Sequence, residues 1–207
     1  MMASPSLLLA SASPRRRDLL RQIGIEPEVV PAHVDESRLA GEVPVAYVSR
    51  LARLKAESVW NALPAARRQT VLAADTAVVL GSEILGKPLD RQQGLAMLAR
   101  LSDRTHEVVT SVAVKTARAL ELRVNVSQVT FRALQRAECE AYWETGEPLD
   151  KAGGYAVQGR AAIFIRSLSG SFSGVMGLPL FETAELLRAA GIDPLTSRAA
   201  SLRGDPQ

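Results

Sequence analysis

The sequence predicts an α/β domain, and three stretches carry that reading. Leu7-Leu8-Leu9-Ala10 is a continuous apolar run that leads straight into a helix start. Val71-Leu72-Ala73-Ala74 is a second such run, and Thr105 to Phe131 is rich in β-branched residues. Runs that are apolar at every position suit strands covered on both faces, as in a sheet flanked by helices. The 207 residues, 47% of them hydrophobic, are enough for one substantial core. No internal repeat and no separating linker is visible, so residues 1–207 read as one domain, with 192–207 as a loosely packed tail.

After the first strand, Ser11-Ala12-Ser13 turns the chain. Pro14 suits the first helical position because its missing N–H has no intrahelical partner there, and Ser13 precedes it as N-cap. Leu19, Leu20 and Ile23 give the helix its apolar side, and Gly24 ends it. The helix start carries two serines and three arginines, Arg15 to Arg17. A helix N-terminus prefers acids, so cations there point to a bound polyanion, most simply phosphates. Glu28-Val29-Val30 is a short second strand. A polar loop from Pro31 to Val43 holds His33, Asp35 and Glu36, and Pro44 opens a long helix bearing Lys55. A helical lysine in isolation reads as a solvated residue.

The run Val71–Ala74 ends at Asp75-Thr76, and Ala77–Leu80 continues it. A carboxylate at the end of a buried strand needs partners, because burying an unpaired charge is costly. Ligands of α/β sheets gather beyond the carboxyl ends of strands, which makes Asp75 the best single catalytic candidate. Gly81 to Pro88, GSEILGKP, imitates a P-loop. Pro88 stands where the metal-holding hydroxyl belongs, and Gly81-Ser82 between two apolar runs reads as a hairpin turn instead. That hairpin returns Lys87 close to Asp75.

A helix is expected from Arg91 to Leu101 and a strand over Thr105–Thr116, where a lone His106 reads as a hydrogen-bonded structural residue. Leu122, Val124 and Val126 alternate with polar residues, and the parity then shifts to Val129 and Phe131, which predicts a bulge or a change of covered face. Glu138–Thr145 is a short helix. Gly146–Leu180 is glycine-rich and would let backbone approach a ligand closely, with Lys151 and Gln158 inside it. A last helix follows Pro179 and ends at Gly191.

Composition excludes several classes. The single cysteine, Cys139, rules out an intramolecular disulfide and a thiolate metal cluster. No apolar run approaches a membrane-spanning length, and the N-terminus lacks the order of a signal peptide, so a cytoplasmic protein with no membrane partner is expected. A net charge of +3 and 4% aromatics give neither a basic stripe nor a stacking surface for nucleic acid. Lysine is scarce: Lys55, Lys87, Lys115 and Lys151 are the only four, and such a chain can keep lysine where a compact point charge is needed.

The blocks SASPRR, ADT, LGKP, Thr105-His106, DKAGGYAVQG and GLPL, in that order, resemble the Maf family of nucleoside triphosphate pyrophosphatases over roughly residues 7–190. The resemblance implies a fold related to the inosine triphosphate pyrophosphatases: an elongated mixed sheet with flanking helices and a deep cleft between two lobes. It implies cleavage of nucleoside triphosphates to monophosphate and pyrophosphate with a divalent metal, Mg²⁺ or Mn²⁺. The PRR and YAVQG versions resemble the branch acting on dTTP and UTP, with CTP and modified pyrimidine nucleotides as further substrates. House-cleaning of the nucleotide pool and division arrest are the cellular roles implied, and a homodimer is left open. By matching position, Asp75 resembles the catalytic carboxylate and Glu36 its partner acid at the metal. Ser11, Arg16, Lys55 and Lys87 match phosphate-binding positions, and Arg15, Thr76 and Gln158 match positions that sort substrates. Asp103 and Gly174 depart from the family pattern, where glycine and asparagine respectively are usual.

The residues suit that chemistry on their own terms. Mg²⁺ takes a few carboxylates plus waters and phosphates, and Asp75 with Glu36 could supply the carboxylates. Water activated by the metal, with Asp75 taking its proton, would attack the α-phosphorus while the cations offset charge on the pyrophosphate. Ser11 and Ser13 have no base nearby, so direct attack by water is favoured over a covalent route. Two competitors remain: a nucleotide-binding regulator of division without turnover, and a nucleic-acid-binding module. For the base, Gln158 can both accept from and donate to uracil or thymine, and Arg15 donates. The related methylguanine branch carries tryptophan and glutamate at those two positions, which suits a cationic base.

Overall fold

The computed structural model describes residues 7–196. In chain order the elements are β1 (Leu7–Leu9), α1 (Pro14–Gln22), β2 (Glu28–Val29), α2 (Pro44–Ala62), β3 (Thr70–Leu80), β4 (Glu83–Leu85) and α3 (Arg91–Leu101). They continue with β5 (Thr105–Lys115), β6 (Leu120–Phe131), α4 (Arg136–Trp143), β7 (Ile165–Ser169), α5 (Phe172–Val175) and α6 (Leu180–Ala189). The strands form one mixed sheet in the order β2-β1-β3-β5-β6-β7, with β4 paired to β3 outside that path. β1 is parallel to β2 and β3, and the remaining pairs are antiparallel.

β3 organises the molecule. Its residues Val71–Val79 pair without interruption with β5. On its other edge β1 covers only Thr70–Leu72 and β4 only Val78–Leu80. The edge between them is therefore open, and the cleft forms there. The expectation that the apolar run ends at Asp75 is corrected: Asp75 lies in the middle of an unbroken strand. The strand tolerates it because β1 stops at Leu9, so Asp75 sits beyond the carboxyl end of its neighbour rather than of its own strand.

Helices cover both faces, as the continuous apolar runs require. Leu7, Leu9, Leu72, Ala74, Val112 and Val114 pack with Leu19 and Leu20 of α1 and Leu186 and Leu187 of α6. Leu8, Val71, Ala73 and Ala113 pack on the opposite face against Ala52, Ala56, Val59 and Trp60 of α2. At the far end Val78, Val108, Val129 and Phe131 meet Leu98 and Leu101 of α3 and Tyr142 of α4.

Several sequence expectations change in detail. The parity shift in β6 is a change of covered face: Leu120 and Leu122 pack toward α2, whereas Val129 and Phe131 pack toward α3 and α4, and the β5–β6 register runs unbroken. A bulge does occur, but against β7 at Thr130/Phe131. α4 starts at Arg136 instead of Glu138, because Glu138 is the third helical residue, whose carboxylate accepts from the N–H of Gln135 at 2.9 Å. Ile192, assigned to a loose tail, is 3% exposed in the α1–α6 core and its N–H bonds Leu187 at 2.8 Å. Residues 197–207 of that tail lie outside the described residues. Asp103 has φ 53°, a left-handed conformation that explains why glycine is usual there and that aspartate tolerates. At Gly174 a Cβ would lie 2.8 Å from the Asn125 amide oxygen, so in this chain Asn125 fills space that a side chain at 174 would need.

His106 is 2% exposed, edge-on to Phe131 and Tyr155, with Nε2 2.8 Å from the Tyr155 hydroxyl. Burial pulls its pKa from 6.5 to about 4. The folded state then binds fewer protons than the unfolded chain, so its contribution to stability is complete above the unfolded pKa and is lost as pH falls toward the folded one. The loss amounts to about 3 kcal/mol for a shift of this size. Urea midpoints at pH 7 and pH 4.5 should fall further apart for the wild type than for His106→Gln; an equal drop in both would place the acid sensitivity elsewhere.

Candidate functional site

The open edge of β3 faces a cleft of about 670 Å³. Its walls bring together every site residue that the sequence motifs assign: Ser11, Arg15, Arg16, Glu36, Lys55, Asp75, Thr76, Lys87 and Gln158. They come from six separate segments, and the fold explains each placement.

Side chains alternate along β3, so Asp75 and Thr76 leave opposite faces of the strand. Asp75 points toward α2, where Lys55 lies on the same stripe as the buried Val48, Ala52 and Val59. Lys55 is only 8% exposed and Asp75 only 7%. The Lys55 ammonium donates to Asp75 Oδ1 at 2.7 Å and lies 2.8 Å from Glu36 Oε1. The solvated helical lysine expected from the sequence is thus a buried ion-pair member. Its position on the apolar stripe was the available signal, because a lysine there must find a partner. Glu36 is held from behind: the Tyr47 hydroxyl donates to the Glu36 carbonyl at 3.0 Å, and Arg50 to the Ser37 carbonyl at 3.0 Å. Tyr47 lines the cleft and the motif reading missed it.

On the other face, Arg16 reaches over the sheet from the first turn of α1. Its Nε donates to the Gly177 carbonyl at 2.8 Å, Nη1 to Ser11 Oγ at 3.1 Å and Nη2 to Thr76 Oγ1 at 3.3 Å. Thr76 Oγ1 is 3.0 Å from Thr110 Oγ1, which donates to the Gly174 carbonyl at 2.8 Å. A hydroxyl has one proton, so Thr110 accepts from Thr76 and Thr76 accepts from Arg16. This relay fixes the guanidinium. Arg15 also faces the cleft, with Nη1 4.0 Å from Asp150 Oδ2. Arg17 does not line the cleft; it pairs with Asp18 at 3.8 Å. The arginine triplet therefore divides, as a helix separates successive side chains by about 100°.

Lys87 and Gln158 are exposed side chains that line the same cleft. Lys151 lines the cleft too, its ammonium 2.5 Å from Asp150 Oδ1. Three of the four lysines thus face one cleft. Asp150 has φ 63°, an uncommon conformation for a residue other than glycine, and it lies between two cations, Arg15 and Lys151. The scarcity of lysine was the signal that could have singled out Lys151.

Burial raises the Asp75 pKa from the ordinary carboxylate value, and Lys55 and Arg16 oppose that rise. The same burial works against the charge of Arg16, which Asp75 supports. Among the described residues no group of three or more His, Cys, Asp and Glu gathers as a metal cage. Two carboxylates converging on one cationic position, Glu36 and Asp75 about the Lys55 ammonium, still fit a hard divalent ion that keeps waters and takes phosphate oxygens.

Fold and cleft together define a mixed-sheet α/β protein whose cationic cleft surrounds one buried carboxylate, an arrangement suited to a phosphorylated ligand. Residues 6–190 match the family profile described as Maf-like protein. The chain belongs to the Maf family. A relative from Alkalilimnicola ehrlichii, named dTTP/UTP pyrophosphatase, is 52% identical over 192 residues, covering 91% of this chain and 95% of its own. Relatives of the same name from Myxococcus xanthus and Saccharophagus degradans are 53% and 50% identical, over 94% and 90% of this chain and 96% and 89% of theirs. A solved structure of the Staphylococcus aureus Ham1 protein aligns with a TM-score of 0.47 at 14% identity, over 77% of this chain and 90% of that one. Among the described residues no helix is long and apolar enough to cross a membrane.

Proposed function

We propose that this protein hydrolyses dTTP and UTP, with CTP as a further substrate, to the nucleoside monophosphate and pyrophosphate. The observation that carries the reading is the buried Asp75–Lys55 pair at the open edge of β3, in one cleft with Ser11, Arg16 and Lys87. The names of the three relatives support the choice of nucleotide.

In this reading a water molecule attacks the α-phosphorus. The bond from that phosphorus to the α–β bridging oxygen breaks, pyrophosphate leaves, and Asp75 takes the proton of the water. A carboxylate whose pKa is raised by burial is a stronger base than an exposed one. Lys55 keeps Asp75 ionised and in place. Arg16, preset by Ser11, Thr76 and Gly177, and Lys87 in the same cleft, offset the charge that grows on the leaving pyrophosphate. Glu36 and Asp75 would hold Mg²⁺ or Mn²⁺, which would supply Lewis-acid polarisation of the phosphate oxygens.

Incubating the protein with a panel of nucleoside triphosphates and Mg²⁺, with separate detection of pyrophosphate and orthophosphate, tests this reading. Pyrophosphate from dTTP and UTP is the expected result, and orthophosphate with diphosphate would overturn it. Nucleotide binding with no product from any triphosphate would favour a binding protein without turnover.

Base choice is assigned to Arg15, Gln158 and Thr76, which line the same cleft as Asp75. Gln158 offers a donor and an acceptor to the imide edge of uracil or thymine, and a cation at Arg15 repels a positively charged base. Arg15→Trp with Gln158→Glu should therefore raise kcat/KM for 7-methyl-GTP relative to UTP by about tenfold or more, the order expected of one or two gained contacts. An unchanged ranking across UTP, dTTP, CTP, GTP and 7-methyl-GTP would remove both residues from that role.

A further inference from the structure

The segment Tyr155–Gly159 carries Gln158 into the cleft, yet it belongs to no strand or helix. Such a loop places a side chain reproducibly only if something else fixes its backbone. Glu147 does so, together with Tyr142 of α4. The Glu147 carboxylate accepts from the backbone N–H of Arg160 at 2.9 Å and of Ala161 at 3.3 Å, just downstream of Gln158. It also accepts from the Tyr142 hydroxyl at 2.8 Å, and that hydroxyl accepts from the N–H of Ala156 at 3.2 Å, just upstream. Gln158 is therefore clamped on both sides through one carboxylate. Gly159 belongs to the same device, because a Cβ there would collide with the Glu147 carboxylate. Burial works to raise the Glu147 pKa, but the N–H and hydroxyl donors outweigh it and leave it below the usual glutamate value. The clamp thus uses the ionised carboxylate, whose hydrogen bonds are the stronger kind.

We infer that Glu147 is a positioning residue for base recognition: through Tyr142 and the 156–161 backbone it sets where Gln158 meets the base. The inference rests on the reading of the cleft as a nucleotide site. Glu147 lines no part of the cleft, so its loss should not disturb the phosphate end.

The test compares Glu147→Ala, Glu147→Gln and Tyr142→Phe with the wild type. Glu147→Ala should raise KM for UTP and dTTP about tenfold while inhibition by pyrophosphate stays within about twofold, since displacement of a positioning group weakens only what it positions. Glu147→Gln keeps the size and one acceptor oxygen and should lie between the two. A general loss of folding would move the nucleotide KM and the pyrophosphate inhibition together, and that pattern would overturn the inference, as would unchanged values of both. Amide hydrogen exchange supplies a readout independent of activity: Arg160 and Ala161 should exchange faster in Glu147→Ala and Ala156 in Tyr142→Phe, each amide losing its acceptor, with β3 unchanged. Unaltered exchange at those three amides would refute the clamp even if the kinetics shifted. A wild-type protein that turns over no triphosphate would instead overturn the functional reading, and the exchange result would still decide whether Glu147 holds the loop.

Discussion

Asp75→Asn should lose roughly 10²–10⁴ of turnover, the span typical of removing a general base, while the protein unfolds at or above the wild-type temperature. The two halves of that result have one cause. Burial raises the pKa of Asp75 in the folded state. The fold therefore binds that proton more readily than the unfolded chain does, and stability is lost as pH rises through the folded pKa. At neutral pH the ionised carboxylate is a burden that the amide does not carry. Lys55 is not orphaned by the change, because Glu36 remains 2.8 Å away and the amide oxygen can still accept. Activity at pH 7.5 and thermal unfolding at pH 5.5 and 8 check both halves. Near-normal turnover would move the base elsewhere, and a large fall in melting temperature would mean that the Lys55 pair outweighs the burial of Asp75.

Lys55→Met should do the reverse damage and destabilise the folded protein. It leaves Asp75, 7% exposed, with no cation in hydrogen-bond contact. Breaking a buried pair from one side costs about 3–5 kcal/mol, which for a chain of this size corresponds to a drop of roughly 10 °C in Tm. The deficit should shrink as pH falls, because Asp75 can then take a proton and shed its unpaired charge. For the same reason the acidic limb of the kcat/KM profile should move toward neutral pH, since the base stays protonated further up the scale. A Tm within 2 °C of the wild type, well inside the expected ~10 °C, or a deficit that does not change between pH 5.5 and 8, would show that Lys55 does not support Asp75.

Local chemistry made some of this legible in the sequence. The strand into Pro14, the Gly81-Ser82 hairpin and the helix opened by Pro44 depend on backbone rules, and they stand where those rules put them. The cleft residues were legible because their motifs are short and ordered. Neighbours made by the fold were not. Asp75 reads as a strand end because an acid interrupts the apolar pattern, yet β5 pairs straight through it and the early stop of β1 gives it room. Arg15, Arg16 and Arg17 read as one cluster until the helix turns Arg17 away from the cleft. Lys55 reads as solvent-facing unless its place on the buried stripe of α2 is weighed. Glu147 carries no motif of its own, and its partners lie on α4 and in a loop up to 14 residues away, so only coordinates reveal the clamp.

Hydrolysis of UTP in ¹⁸O-labelled water tests the central claim most directly. Attack on the α-phosphorus, with Asp75 as base beside the phosphate cations, puts the label in UMP and leaves the pyrophosphate unlabelled. Label in the pyrophosphate, or release of labelled orthophosphate with UDP, would contradict it.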